Sequence, residues 1–120
     1  MISSYILIFI TSLIISFLLV PGVKILGEKI DALDYPGTRR INEIPVPNIG
    51  GLAIWASFLL TAFVFFEFNK TLFGILLGGS LITFIGFVDD LYDISPFFKL
   101  ILQILAASVL LIFGVKIEFI

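Results

Sequence analysis

The chain contains no cysteine and no histidine. Without cysteine there is no disulfide and no thiolate metal site. Without histidine it lacks the commonest general base near neutral pH and the commonest metal ligand. Charge is scarce as well: Asp, Glu, Lys and Arg make up 13% of the residues, and the formal net charge is −2. No nucleic-acid partner is expected, because phosphate backbones call for a basic surface. Chemistry in this chain is left to Asp, Glu, Lys, Arg, Tyr, Ser and Thr.

What replaces the missing polarity is hydrocarbon. Hydrophobic residues make up 60% of the chain, and the mean hydropathy is +1.23. A soluble domain is about 45–50% apolar. A chain of 120 residues cannot hide that much apolar surface in its own core. The lipid bilayer is therefore its natural solvent. Four runs carry no charge: Met1 to Val23, Ile44 to Phe66, Thr71 to Val88 and Leu100 to Val115. A helix needs about 20 apolar residues to cross, within a range of about 17–25. The first two runs meet this easily and the third narrowly. Phe97 and Phe98 extend the fourth, where Lys99 can snorkel to the surface. The first run lacks a basic leader and exceeds the roughly 7–15 residues of a signal-peptide core, so it reads as a retained span.

Pro21-Gly22 should end or kink the first helix. The second should start near Asn48, after Pro45 and Pro47. Asn69 or Thr71 should cap the third. Ser95 should cap the fourth, with Pro96 at its first position, and Gly114 should mark its end. The expected spans are 2–23, 48–67, 71–88 and 96–114. The fold class is all-α: a polytopic membrane protein, with these helices forming part of a larger bundle. No soluble domain and no internal repeat is visible. Lys24, Lys29, Arg39 and Arg40 follow the first run, and Lys99 precedes the fourth. Only Lys70 and Lys116 fall on the other side. The Lys/Arg excess marks the cytoplasmic side. The N-terminus is then outside, and the basic loop and acidic turn are both cytoplasmic.

The acidic cluster Asp89-Asp90-Leu91-Tyr92-Asp93 follows an uncharged run directly. Carboxylates beside hydrocarbon are costly, and are kept mainly where they pair, bind a cation or do chemistry. On a continuous helix Asp89 and Asp93 would share a face, and Asp90 and Asp93 would be neighbours. Two carboxylates could then enter one site. Mg²⁺ takes one or two carboxylates and fills the rest of its shell with water and phosphate oxygens. The plainer alternative is a solvated acidic connection. Arg39 and Arg40 could hold phosphate bidentately. Gly50-Gly51 would allow a ligand or a backbone to approach closely. The plainer alternative there is a positive-inside anchor followed by a helix contact. Lys99 could contact a pyrophosphate, screen the aspartates or simply snorkel. Gly74-x-x-x-Gly78 reads as a helix-packing pattern. Trp55 reads as packing and Tyr5 as an interfacial aromatic.

The order of these pieces matters. A basic loop is followed by Pro45-Val46-Pro47-Asn48-Ile49-Gly50-Gly51 and a hydrophobic hairpin. Gly86-Phe87-Val88-Asp89-Asp90-Leu91-Tyr92-Asp93 comes next, then Ser95-Pro96 and Lys99-x-x-x-Gln103. This arrangement resembles the polyprenyl-phosphate N-acetylhexosamine-1-phosphate transferases, in particular the branch that initiates teichoic acid and O-antigen (lipopolysaccharide) synthesis. The phospho-MurNAc-pentapeptide translocase is a more distant relative. The resemblance covers about Asp31 to Gln103. It implies transfer of a sugar-1-phosphate, GlcNAc-1-phosphate first among them, from a UDP-sugar to undecaprenyl phosphate, with release of UMP. It implies Mg²⁺ or Mn²⁺ as cofactor and the bacterial cytoplasmic membrane as location, and it leaves a homodimer open.

Residue by residue, Asp89 and Asp90 match the family's aspartate pair, implicated in metal and lipid-phosphate handling. Asp93 matches the third acidic position and Lys99 an active-site lysine. Arg39 and Arg40 match a basic pair in the first cytoplasmic loop, and Gly50 and Gly51 a glycine pair. Asn42 stands where close relatives often have His. The resemblance does not choose between direct attack by the lipid phosphate and a covalent intermediate. Family members are much longer, and their later loops supply a further metal-binding Asp and a His-rich motif. The chain is therefore expected to be an N-terminal fragment, a truncated product or part of a split protein, inactive alone. Two other readings stay open. One is a membrane prenyltransferase using Mg²⁺–diphosphate, the other a non-catalytic membrane subunit or remnant.

Overall fold

Helix α1 spans Ile2–Lys29 and is apolar on all sides along most of its length. Such a helix has no polar face to turn to water. Gly27 is its one buried residue, while Phe9 and Phe17 lie exposed. The computed structural model describes residues 1–31 and 49–116, together with the backbone of 33–34 and 46–47. These form two compact units, Met1–Thr61 and Ala62–Ile120.

The first unit holds α1, a short β-ladder and most of helix α2, Gly51–Phe65. Pro21 does not end α1: it lies inside, and the helix continues two further turns to Lys29. The missing Pro N–H costs one internal bond, and the surrounding apolar turns still favour helix over exposed backbone in a bilayer. Strand β1, Leu33–Asp34, pairs antiparallel with β2, Val46–Pro47, in the register Leu33 to Pro47 and Asp34 to Val46. Helix α2 starts at Gly51, later than expected, after a turn in which Leu52 N–H donates to Ile49 and Ala53 N–H to Gly50. Its residues Ala53, Ser57 and Thr61 form a buried stripe at four-residue spacing. Trp55 stacks on Phe58 with ring centroids 5.0 Å apart, which fits its expected packing role.

The second unit is a helical hairpin of α3, Lys70–Tyr92, and α4, Pro96–Ile112. Asn69 caps α3 as expected, its Oδ1 accepting from Leu72 N–H at 2.8 Å. Pro96 occupies the first turn of α4, and Ser95 precedes it without a side-chain cap bond. Gly114, at φ +79°, closes α4. Val115 N–H reaches Leu110 and Gly114 N–H reaches Leu111, the paired bonds of a Schellman end. The glycine pattern seats the two helices on each other. A Cβ at Gly74 would lie 2.5 Å from Phe113 Cβ, and one at Gly78 3.0 Å from the Leu110 tip. Phe73 meets Phe113 edge-on at 5.2 Å beside this contact.

Among the described residues the architecture is thus all-α with four helices, of which α1 and α3 are long and apolar enough to cross a membrane. Helices α2 and α4, at 15 and 17 residues, are shorter. At about 1.5 Å per residue they reach ~22 and ~26 Å against a hydrocarbon core of about 30 Å. Several helix hydroxyls bond back to their own helix, whereas the buried Thr61 Oγ1 of α2 has no hydrogen-bond partner among the described residues. Thr11 donates to Leu7 O, Ser80 to Leu76 O and Ser108 to Ile104 O. That arrangement suits surroundings without water.

Candidate active site

Helix α3 does not stop at the apolar edge. It carries Asp89 and Asp90 in its last turn, ending at Tyr92. The next residue, Asp93, takes the left-handed conformation, φ 54° and ψ 69°, while its N–H still bonds Asp89 O at 2.8 Å. The chain then reverses through Ile94 and Ser95 into α4. Lys99, in the first turn of α4, is brought back onto Asp89.

Both oxygens of Asp89 are engaged. Oδ1 accepts from Ile94 N–H at 3.0 Å, and Oδ2 accepts from Lys99 Nζ in an ion pair. The Asp89 side chain is 18% exposed and that of Lys99 39%. Asp90 is exposed, and among the described residues its carboxylate has no hydrogen bond or ion pair. The same holds for the Asp93 side chain. The i, i+4 face expected for Asp89 and Asp93 is not formed, because the left-handed residue takes Asp93 out of the helical register.

These charges oppose the helices that carry them. A helix C-terminus carries about half a negative charge and favours cations, yet α3 ends in Asp89 and Asp90. A helix N-terminus favours anions, yet α4 carries Lys99 in its first turn. Local rules broken together in this way are expected where a site is built for a ligand. The Lys99–Asp89 pair removes part of the conflict. Asp90 and the α3 terminus leave negative charge that a bound cation would offset, and the α4 terminus beside Lys99 leaves positive charge that suits phosphate.

No group of three or more acidic or other metal-ligating side chains gathers among the described residues. The donor set therefore does not fit a closed, all-protein metal cage. It does fit a cation such as Mg²⁺, which needs one or two carboxylates and takes its other ligands from water and phosphate. Asp90 has the less encumbered carboxylate for this, with Asp89 beside it.

An apolar groove of about 350 Å³ runs along α3 and α4 below this turn. Its lining includes Val88 and Ile94, the residues flanking Asp89 in chain and in hydrogen bonding. The spacing Leu102, Leu105, Ala106 and Val109 is the signal in the sequence that could have disclosed it. Ile94, whose N–H orients Asp89, has no comparable signal, because a backbone donor leaves no trace in residue type.

The remaining expected site residues fall elsewhere. Arg39, Arg40 and Asn42 lie outside the described residues. Gly50 and Gly51 lie in the first unit, at the start of α2. Among the described residues a Cβ at either would meet nothing within 4 Å, so none of them makes the close helix contact considered for these glycines.

Comparison with known proteins gives a family match over this hairpin. The model of glycosyl transferase family 4 matches residues 72–120, which hold the whole α3–α4 hairpin and its acidic turn apart from Lys70 and Thr71. The chain is 32% identical over 114 residues to the decaprenyl-phosphate N-acetylglucosaminephosphotransferase of Mycobacterium leprae, covering 88% of this chain and 29% of that protein. It is 32% identical over 114 residues to a probable undecaprenyl-phosphate N-acetylglucosaminyl 1-phosphate transferase of Bacillus subtilis, covering 92% and 31%. It is 32% identical over 96 residues to the undecaprenyl-phosphate alpha-N-acetylglucosaminyl 1-phosphate transferase of Thermotoga maritima, covering 78% and 30%. The chain thus spans about 30% of the length of these relatives. No solved structure matches it. The α3–α4 hairpin thus matches glycosyl transferase family 4, and along most of its length the chain is similar to polyprenyl-phosphate GlcNAc-1-phosphate transferases.

Proposed function

We propose that this chain supplies the metal- and phosphate-handling hairpin of an enzyme that transfers GlcNAc-1-phosphate from UDP-GlcNAc to undecaprenyl phosphate, releasing UMP. The product would be the first lipid-linked intermediate of a cell-envelope glycan. The observation that carries this reading is the juxtaposition of Asp89, Asp90 and Lys99 where α3 turns into α4. The names and identities of the relatives support the substrate classes. Because the relatives are about three times longer, the activity is proposed for the protein that carries the corresponding remainder.

In this reading Asp90 and Asp89 hold Mg²⁺ or Mn²⁺. Such a cation, when bound, would supply neutralisation of diphosphate charge. Lys99 exchanges its contact with Asp89 for a phosphate oxygen. Asp89, kept in place by Ile94 N–H, stays oriented during that exchange. The apolar groove beside the turn offers the prenyl chain a hydrocarbon surface next to its charged head. Arg39, Arg40 and Asn42 are proposed as further phosphate contacts, as are Gly50 and Gly51, where an added Cβ would meet nothing within 4 Å among the described residues.

The distribution of Lys and Arg supports an N-terminus outside the cell and the acidic turn at the cytoplasmic face. All four helices are proposed to enter the bilayer, the two shorter ones with help from their flanking turns.

The test is synthesis of polyprenyl-diphosphate GlcNAc from UDP-GlcNAc and undecaprenyl phosphate by the complete transferase in membranes. Asp89→Asn should reduce the rate by at least about 10²-fold, the order expected for losing a group that stabilises transition-state charge. Product formation at the unmutated rate would overturn the assignment of Asp89.

A further inference from the structure

The carboxylate of Asp93 is the obvious third member of the acidic cluster, yet the structure uses the residue's backbone. Asp93 stands at φ 54° and ψ 69°. It is one of two non-glycine residues at positive φ among those described, the other being Asp31. Its N–H closes the last turn of α3 onto Asp89 O at 2.8 Å. Its carboxylate is exposed, and among the described residues it accepts no hydrogen bond and makes no ion pair.

The left-handed step has two consequences. It aims the next N–H, that of Ile94, back at Asp89 Oδ1 at 3.0 Å. It also turns the chain so that Ser95-Pro96 opens α4 with Lys99 within reach of Asp89 Oδ2. Both contacts on Asp89 therefore depend on one backbone conformation. Right-handed helix geometry at residue 93 would continue α3 and carry Ile94 and Lys99 away.

Left-handed backbone costs most residues roughly 1–2 kcal/mol, or a factor of about 5–30 in equilibrium. Glycine is free of that cost, and Asn and Asp reduce it with short polar side chains. We infer that Asp93 is a positioning residue that acts through its left-handed backbone, holding Asp89 in its two-sided grip by Ile94 and Lys99, and that its carboxylate is dispensable for that role. This inference does not rest on the transferase reading.

The choice of replacements separates backbone from charge. Asp93→Gly and Asp93→Asn remove the carboxylate and keep the left-handed preference. Asp93→Glu keeps the carboxylate and loses the preference. Asp93→Val loses both, and a β-branched residue at positive φ is a genuine outlier.

The readout is zero-length cross-linking with a water-soluble carbodiimide on the full chain in detergent micelles. The reagent takes up one water as an amide forms between the Asp89 carboxylate and the Lys99 amine. Fragmentation mass spectrometry then places the link, with Asp89→Asn as the blank. The Gly and Asn variants should cross-link at rates within about twofold of the unmutated chain. The Glu and Val variants should fall by about fivefold or more, as the left-handed penalty predicts. A structural role for the charge would give the reverse order, so rescue by Gly and Asn is the decisive feature. Loss of the link in the Gly and Asn variants with retention in Glu would overturn the inference. So would equal rates in all four, or no Asp89–Lys99 link in the unmutated chain. Because the readout is geometry and not turnover, any of these results leaves the transferase reading to its own test.

Discussion

Lys99 is the residue on which the site's charge balance turns. It sits at the helix end that favours anions and pairs with an aspartate at the helix end that favours cations. Replacing it by Met leaves Asp89 with only Ile94 N–H as partner and adds to the negative charge around Asp90. Lys99→Met should therefore lower transferase turnover by about 10²-fold while leaving the helical content seen by circular dichroism unchanged. Lys99→Arg should recover part of it, since the cation is kept but its shape is not. Turnover of Lys99→Met close to the unmutated rate would remove Lys99 from the phosphate contact. At this scale much was legible in the sequence. Asp89, Asp90 and Lys99 stand out because charges next to hydrocarbon are expensive. The left-handed conformation of Asp93 was not legible, because residue type shows a carboxylate and conceals a backbone angle.

The helix ends follow local chemistry closely. Asn69 as cap, Pro96 at the start of α4 and Gly114 at its end are all readable from residue type. Asn69→Ala should cost about 1 kcal/mol of hairpin stability, and Gly114→Ala a similar amount, since alanine at φ +79° is strained. The Gly74 contact is stiffer. Its added Cβ would meet Phe113 at its own Cβ, close to the backbone, so Gly74→Ala should destabilise by about 1–3 kcal/mol. Phe113→Ala should not rescue it, because the Cβ remains. Gly78→Ala should cost less, because the Leu110 tip can swing aside. Unfolding of the detergent-solubilised chain by SDS titration measures this ranking, and equal loss at Gly74 and Gly78 would refute the contact. Other element boundaries were not legible. Pro21 suggested a break because in water its lost bond is decisive, whereas in lipid the remaining turns have no competing solvent. The two-residue β-ladder is too short to produce a pattern, and the extension of α3 through Tyr92 runs against the polarity of its last turn.

For the whole molecule, the absence of cysteine makes sidedness directly measurable. Single cysteines at Lys70 and at Ser95 mark the two ends of α3 and of the turn beyond it. In intact cells a membrane-impermeant maleimide should label the Lys70→Cys variant and spare Ser95→Cys until the cells are opened. Labelling of Ser95→Cys from outside would reverse the proposed orientation. The all-α class and the membrane setting were legible from composition and charge-free runs. The lengths of α2 and α4 were not, because caps and turns consume residues that the hydropathy of a run still counts. The central claim is that the α3–α4 turn holds the cation and phosphates of a sugar-1-phosphate transferase. Its most direct test is Mg²⁺-dependent exchange of labelled UMP into UDP-GlcNAc by membranes containing the complete enzyme, comparing the unmutated protein with Asp90→Asn. The account predicts exchange that requires Mg²⁺ and falls by about 10²-fold or more in the variant. Exchange at the unmutated rate in Asp90→Asn would contradict it.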